Sequence, residues 1–290
     1  MSWRIVVIDH KAKLSYKNGY LIVRNEEIKK IHLSEINTII INSTASVITS
    51  YLVNELLSRK IKVVFCDEKR NPAGEIVSYY GCHNSSKRIQ EQLSWDKEYS
   101  TLIWTRIIKE KIYNQAKLLE IEGKDKADML YSYCDNVKFN DETNREGHSA
   151  KVYFNSLFGL QFTRDAKIDV NAALDYGYSI ILSQFNREVV AQGCLTQLGI
   201  KHRNEFNPFN LSSDLMEPFR PLVDRIVYEN MNEVFDGTMK LKLIDVLNHR
   251  VHISNSNQYV SNAISLYVKS VVKALKDKDV DEIEFFDYEL

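Results

Sequence analysis

The sequence predicts an α+β protein, with a small N-terminal mainly β domain followed by a larger all-α catalytic domain. Three observations carry that expectation. Two alternating runs flank an Asn18-Gly19 pair, the first eighty residues hold mostly strand-like patterning, and from about Ser85 the apolar period becomes 3.6 and stays there.

Residues 3–8 (Trp-Arg-Ile-Val-Val-Ile) read as a first strand, and residues 13–17 and 20–24 as a hairpin. Asn-Gly suits that hairpin because both central residues of its turn need positive φ. Residues 28–33 and 38–41 continue the β pattern. Residues 47–57 then place apolar side chains at helical spacing before a buried-type strand at 61–65. A turn at Asn71-Pro72-Ala73-Gly74 leads to a further strand at 75–80. Residues 82–93, with Lys87, Arg88 and Gln92, form the expected connection, so the boundary is placed between a domain at 1–84 and one at 85–290. Helices are expected at 94–121, 124–133, 143–162, 170–192, 214–235, 239–247 and 259–275.

With 290 residues, 44% apolar and 27% charged, the chain has the balance of a globular protein with a substantial core. Cys66, Cys82, Cys134 and Cys194 form no C-x-x-C pair, which argues against a zinc cluster or disulfide scaffold and for a reducing, cytoplasmic setting. No apolar run reaches the ~18 residues of a spanning helix, so no membrane partner is expected. The net charge of −1 conceals an acidic end: residues 277–290 carry seven acids against Lys278 alone, and the rest of the chain is net basic. That end, with Phe285, Phe286 and Tyr288, reads as a solvated terminus or as a docking segment.

Three segments carry candidate chemistry. Glu146 stands in Asn-Arg-Glu-Gly-His-Ser-Ala-Lys-Val-Tyr-Phe (144–154), where Thr143-x-x-Glu146 also fits a capping box. Gly147 in that first turn costs about 0.5–1 kcal/mol relative to alanine, which points to a close approach to the backbone. His202 lies between Lys201 and Arg203, cations that favour the neutral imidazole a metal ligand must be, although a lone histidine between bases is also an ordinary surface residue. Asp214-Leu-Met-Glu217-Pro-Phe-Arg-Pro221 offers Glu217 on a helix start stiffened by two prolines, with Asp214 either its cap or an alternative ligand and Asp224 a reserve. Two carboxylates and an imidazole from separated segments suit a hard divalent cation that keeps positions open for phosphate oxygens.

The motifs Arg-Glu-Gly-His-Ser-Ala-Lys-Val-Tyr-Phe, Gly-Ile-Lys-His and Asp-Leu-Met-Glu-Pro-Phe-Arg-Pro-Leu-Val-Asp resemble those of the CRISPR-associated spacer-acquisition integrases. Gly159, Asn171-Ala-Ala-Leu174 and Tyr176-Gly-Tyr178 extend the likeness, which looks most like the branch accompanying type II systems. The resemblance implies that Glu146, His202 and Glu217 are the metal-binding catalytic residues, with Mg²⁺ or Mn²⁺ as cofactor. It implies an enzyme in which the 3′-hydroxyl of a short DNA fragment attacks a phosphodiester of a repeat array. It also implies a homodimer on double-stranded DNA, with two dimers bridged by a dimer of a small companion adaptation protein into a heterohexamer, and other type II adaptation proteins as further partners.

Phosphate contacts are then expected from Arg145, Lys151, Lys201, Arg203 and Arg220, with Lys87 and Arg88 behind them. His10, Tyr16 and Tyr20 are candidates for stacking on a terminal base pair. Two other functions fit the same residues: a metal-dependent hydrolytic nuclease or branched-DNA resolvase, and a non-catalytic DNA-organising subunit in which both glutamates are caps.

Overall fold

A computed structural model describes residues 4–78 and 82–287. The chain divides into two compact units, Met1–Gly81 and Cys82–Leu290.

The first unit is built from β1 (Arg4–Ile8), β2 (Lys13–Lys17), β3 (Tyr20–Arg24), β4 (Ile28–His32), β5 (Ile36–Ile41), β6 (Val47–Ile48), α1 (Ser50–Ser58), β7 (Lys62–Cys66) and β8 (Pro72–Glu75). They make two four-stranded sheets, ordered β1-β5-β7-β8 and β4-β3-β2-β6. The Asn18-Gly19 hairpin forms as its sequence requires, with φ of 49° and 86° at the two turn residues. β1, β5 and β7 run parallel, and β5, buried at all six positions, is Ile-rich without alternation because both its faces are covered. Leu14 and Leu21 close onto Leu33, Ile36, Leu52 and Leu56 in one apolar cluster.

Two sequence expectations shift here. The helix read at 47–57 begins later, because Thr49 caps it by accepting from the Leu52 N–H while Val47 and Ile48 pair with β2. The turn read at 71–74 is mostly strand, with Pro72 on the edge partner of β7, where a missing N–H costs no ladder bond. The expected strand at 75–80 reaches beyond the described residues.

The second unit contains α2 (Ser85–Leu93), α3 (Lys97–Ile121), α4 (Ala127–Asp135), α5 (Arg145–Phe158), α6 (Asp169–Ala191), α7 (Asn210–Leu215), α8 (Arg220–Glu229), α9 (Gly237–Ile244), β9 (Arg250–Ile253), β10 (Ser256–Tyr259) and α10 (Val260–Asp277). Asp96 caps α3 by accepting from the Glu98 and Tyr99 N–H groups. That helix buries Ile103, Trp104, Ile107, Ile108, Ile112, Ala116 and Leu119 along its length. α6 buries residues on most of its circumference, and its Gly177 is where Val223 of α8 approaches too closely for any Cβ.

The expected connection at 82–93 is largely helical, and Gln92 ties it to this unit by donating to the Leu195 and Leu198 carbonyls and accepting from the Leu195 N–H. The helix expected at 214–235 is broken into α7, a 3-10 turn at Glu217–Phe219 and α8, because Pro218 and Pro221 remove two backbone donors within four residues. The helical unit also carries an antiparallel ribbon, β9–β10, whose turn places Ser254 and Asn255 at φ 52° and 57°. The acidic end folds back onto its own chain. Asp287 pairs with His252 through both backbone bonds, and Phe286, 1% exposed, packs 4.4 Å from the Phe219 ring. Phe285, half-buried, rests on Tyr267, so Phe286 is a core residue of this unit and neither ring is a free docking arm; Tyr288 lies outside the described residues.

Candidate functional site

Glu146 opens α5, but not as half of a capping box. Asp141 does the capping, accepting from the Arg145 N–H at 2.8 Å and the Glu146 N–H at 3.0 Å. The chain is bent into that position by left-handed residues at Asn140, Asp141 and Asn144. Gly147 is needed for the Asn144 side chain, whose amide would lie 2.8–2.9 Å from an added Cβ. The close approach inferred from that glycine is therefore internal. Freed from capping, the Glu146 carboxylate accepts from Lys111 Nζ of α3 at 2.7 Å.

The same ammonium lies 2.5 Å from Glu217 Oε2. Glu217 is 5% exposed, and its other oxygen accepts from Arg220 Nε at 2.9 Å. Burial drives its carboxyl toward protonation, but Arg220 and Lys111 together outweigh that and hold the pKa at about 2. Burial likewise disfavours the charge on Lys111, and Glu217 and Glu146 reverse the effect, so it stays an ammonium. Glu217 Oε2 has no hydrogen-bond donor in good geometry, because the ammonium touches it off-axis.

His202 is brought to the same place by a tight loop. Asp214, fully buried on α7, accepts from the backbone N–H groups of Lys201 at 2.9 Å and His202 at 3.2 Å, and lies 2.5 Å from His202 Nδ1. Gly199 makes this fit possible, since a Cβ there would meet Asp214 Oδ2 at 2.7 Å and collide with the His202 carbonyl. A carboxylate can only accept, so Nδ1 carries the proton and Nε2 is left for another partner. The hydrogen bond to Asp214 raises the His202 pKa, and the charges of Glu217 and Glu146 add to it across the site. Trp104 holds the ring edge-on at 5.5 Å.

The structure thus gathers Glu146, His202 and Glu217 and gives the two reserve carboxylates other work. Asp214 orients the imidazole. Asp224 accepts from the Tyr153 hydroxyl at 2.8 Å and from Tyr178, and burial lifts its pKa to about 6. Among the described residues no three His, Cys, Asp or Glu side chains stand at metal-holding spacing, and the Lys111 ammonium lies between Glu146 and Glu217. Two carboxylates and one imidazole are nevertheless a donor set that fits a hard divalent cation. Lys111 is the residue that sequence reasoning missed. Its signal was a lysine set among Ile107, Ile108 and Ile112, all fully buried, on a helix stripe that otherwise faces the core.

The expected phosphate contacts divide. Lys151 and Arg203 are exposed, as is Lys201, which donates to Asn140 at 2.7 Å. Arg145 lies over the Tyr133 ring, and Arg220 is taken up by Glu217 and the Tyr178 ring. Arg88 pairs with Glu91 and packs where a Gly193 side chain would stand, while Lys87 is exposed. Beside the His202 loop opens a cleft of about 970 Å³, lined by Trp95, Lys97, Arg203 and Phe206 among others.

In the β unit, His10 lines a groove of about 810 Å³ with Lys11, Lys13 and Arg24. Tyr16 is paired with Leu21 and Tyr20 with Lys17 across the hairpin, so the two tyrosines project to opposite faces of the sheet. Both cannot stack on one base pair. Tyr16 packs on the apolar cluster and on Tyr51, whereas Tyr20 is exposed beside His32.

Known proteins resemble this chain in sequence and fold. The curated relatives include a CRISPR-associated endonuclease Cas1 of Neisseria meningitidis serogroup C, 33% identical over 98% of this chain and 96% of its own length. Another, from Francisella tularensis subsp. novicida, is 24% identical over 93% of this chain and 92% of its own. Among solved structures, a casposase bound to integration product superposes with a TM-score of 0.76 at 20% identity, over 97% of this chain and 93% of that one. A Cas1 protein from Thermotoga maritima gives 0.71 at 15% identity, over 94% and 97%. A Cas6-RT-Cas1–Cas2 complex gives 0.72 at 19% identity, over 97% of this chain and 36% of that one. The family model for CRISPR-associated protein Cas1 matches residues 5–236, a span that holds Glu146, His202 and Glu217, and the chain belongs to that family.

Proposed function

We propose that this protein is a metal-dependent DNA integrase that inserts short foreign DNA fragments into a CRISPR repeat array. The observation that carries the reading is the convergence of Glu146 and Glu217 on one buried cation position, with His202 held beside them by Asp214. The family and the likeness to a casposase on its integration product support it.

Glu146 and Glu217 would each contribute a carboxylate oxygen and His202 its Nε2. Mg²⁺ or Mn²⁺ held there supplies Lewis acidity at a phosphate oxygen. Arg220 keeps Glu217 ionised, and Asp214 keeps the imidazole lone pair at Nε2. Arg145, Lys151, Lys201 and Arg203, with Lys87 behind them, would take backbone phosphates and position the duplex without reading its sequence. The fragment's 3′-oxygen forms the new P–O bond as the repeat's own 3′-oxygen leaves, so one ester replaces another and no protein intermediate forms.

One such set of ligands per chain serves one strand, and two strands must be joined. A homodimer with one acting subunit at each fragment end, bridged to a second dimer by a Cas2-like companion, meets that requirement; the Cas1–Cas2 complexes of the same fold support the pairing. The β unit would serve dimerisation and the fragment end, with His10 at a basic groove suited to terminal phosphates. We assign the protein to a type II system acting in the cytoplasm.

The test mixes a labelled duplex bearing free 3′-hydroxyls with a supercoiled repeat plasmid, the companion protein and Mn²⁺. Joined product is expected from the wild type and none from Glu146→Gln, with DNA binding retained by both. Cleavage without joining would instead identify a hydrolytic nuclease, and joining by Glu146→Gln would remove the glutamate from the mechanism.

A further inference from the structure

We propose that Lys111 is a displaceable internal counter-ion, which occupies the cation position of the metal-free protein and must leave it when a divalent ion enters. The inference rests on the ligand assignment above and extends it to how the site is loaded.

The carboxylates are fixed by structure that does not depend on Lys111. Asn114 of α3 donates to the Pro218 carbonyl at 3.0 Å, which anchors the turn bearing Glu217. One residue further along, Gln115 accepts from Ser149 of α5 at 2.8 Å, which anchors the helix bearing Glu146. Both glutamate backbones are therefore tied to α3 directly. Lys111 reaches them only through its own four-carbon stem, the most mobile connection in the cluster.

Its two contacts are a hydrogen bond to Glu146 Oε1 at 2.7 Å and an ion pair with Glu217 Oε2 at 2.5 Å, so one ammonium serves both carboxylates. At 11% exposure the Lys111 side chain is not sealed from water. In the metal-free protein it keeps the buried Glu217 carboxylate and the part-exposed Glu146 carboxylate from facing each other uncompensated. A divalent ion provides the same compensation with two charges, so the two cations compete for one place.

The competition fixes the sign of a measurable effect. Removing the lysine should tighten metal binding, whereas a lysine that merely held the ligands in position would weaken binding when removed. The experiment titrates Mn²⁺ into the full-length protein and follows free Mn²⁺ by electron paramagnetic resonance for the wild type, Lys111→Met, Lys111→Gln, Lys111→Arg and Glu217→Gln. Lys111→Met and Lys111→Gln are expected to bind about tenfold tighter than the wild type, the change produced when a site closed about nine-tenths of the time becomes permanently open. Lys111→Arg, which keeps the charge, should stay near the wild-type affinity, and Glu217→Gln should bind more weakly. Without metal, the two neutral variants should melt lower than the wild type, and they should gain more from added Mn²⁺.

Unchanged or weaker binding by the neutral variants overturns the counter-ion role. If Glu217→Gln binds as tightly as the wild type, the ligand assignment itself has failed, and that result is read from a different sample. Should Lys111→Met not fold, Lys111→Gln, which keeps a polar end near both carboxylates, decides the sign alone.

Discussion

Replacing Glu217 with glutamine sets two opposed effects against each other in the metal-free protein. The carboxylate is buried, which costs free energy, yet Arg220 and Lys111 press against its two oxygens. With the pKa held at about 2 against an ordinary 4.5, the partners win by about two and a half units, or about 3 kcal/mol at ~1.36 kcal/mol per unit. Glu217→Gln should therefore lower the unfolding free energy of the helical unit at pH 7 by about 3 kcal/mol, since it removes the charge that both Lys111 and Arg220 pair with.

The pH dependence follows in sign. A carboxyl whose pKa is lowered by folding contributes its stability above the unfolded value near 4.5 and loses it as pH falls toward 2. The difference between wild type and variant should be full at pH 6–7, shrink below about 4.5 and vanish near pH 2. Urea unfolding in EDTA, followed by circular dichroism at several pH values, measures that difference directly. A variant as stable as the wild type at neutral pH would refute the reasoning, because it would mean that desolvation cancels both ion pairs.

Two further variants probe the scaffold. Gly177→Ala gains about 1 kcal/mol of helix propensity, but its methyl would collide with Val223 Cγ1 and stand 3.2 Å from Leu243 Cδ2. Overpacking typically costs 1–3 kcal/mol, so a net loss of about 1 kcal/mol in urea unfolding is expected, recovered in part relative to Val223→Ala alone when the two are combined. Glu110 is pushed up to about 7 by burial, with Asp287 adding to it. Its protonated form favours the fold, a contribution present below about 4.5 and lost as pH rises through 7. Glu110→Gln should thus flatten the decline in melting temperature between pH 5 and 8, and an unchanged decline would count against that burial.

The three proposed ligands were legible in the sequence because each stands in a distinctive local setting, a helix start, a glycine-bounded loop or a proline-stiffened turn. Their partners were not legible, since those depend on separation along the chain. Lys111 meets Glu146 across 35 residues and Glu217 across a larger interval, and Asp214 and His202 sit on different elements. Asp141 was passed over as a cap because the capping distance assumes a regular helix entry, whereas three left-handed residues fold this one back.

The same limit explains the ribbon. Asn18-Gly19 announces its turn by residue type, while Ser254 and Asn255 take up a similar backbone between strands of only four residues, in a stretch whose Ser and Asn composition reads as loop. The helix over 85–93 was obscured in another way. Its sequence is too polar to show a core face, and Gln92 docks it through hydrogen bonds instead of apolar burial.

The fold-back of the C-terminal end makes the last stretch of sequence a wall behind the chemistry. Phe286 presses on Phe219, which directly follows Pro218 and Glu217, so the ring that closes the chain supports the turn that presents a ligand. Clipping before residue 285 would hollow out the far side of that turn while leaving every ligand in the sequence. A protein shortened there would keep all three proposed ligands and lose the packing behind the turn that carries Glu217, so it is expected to melt lower than the full chain.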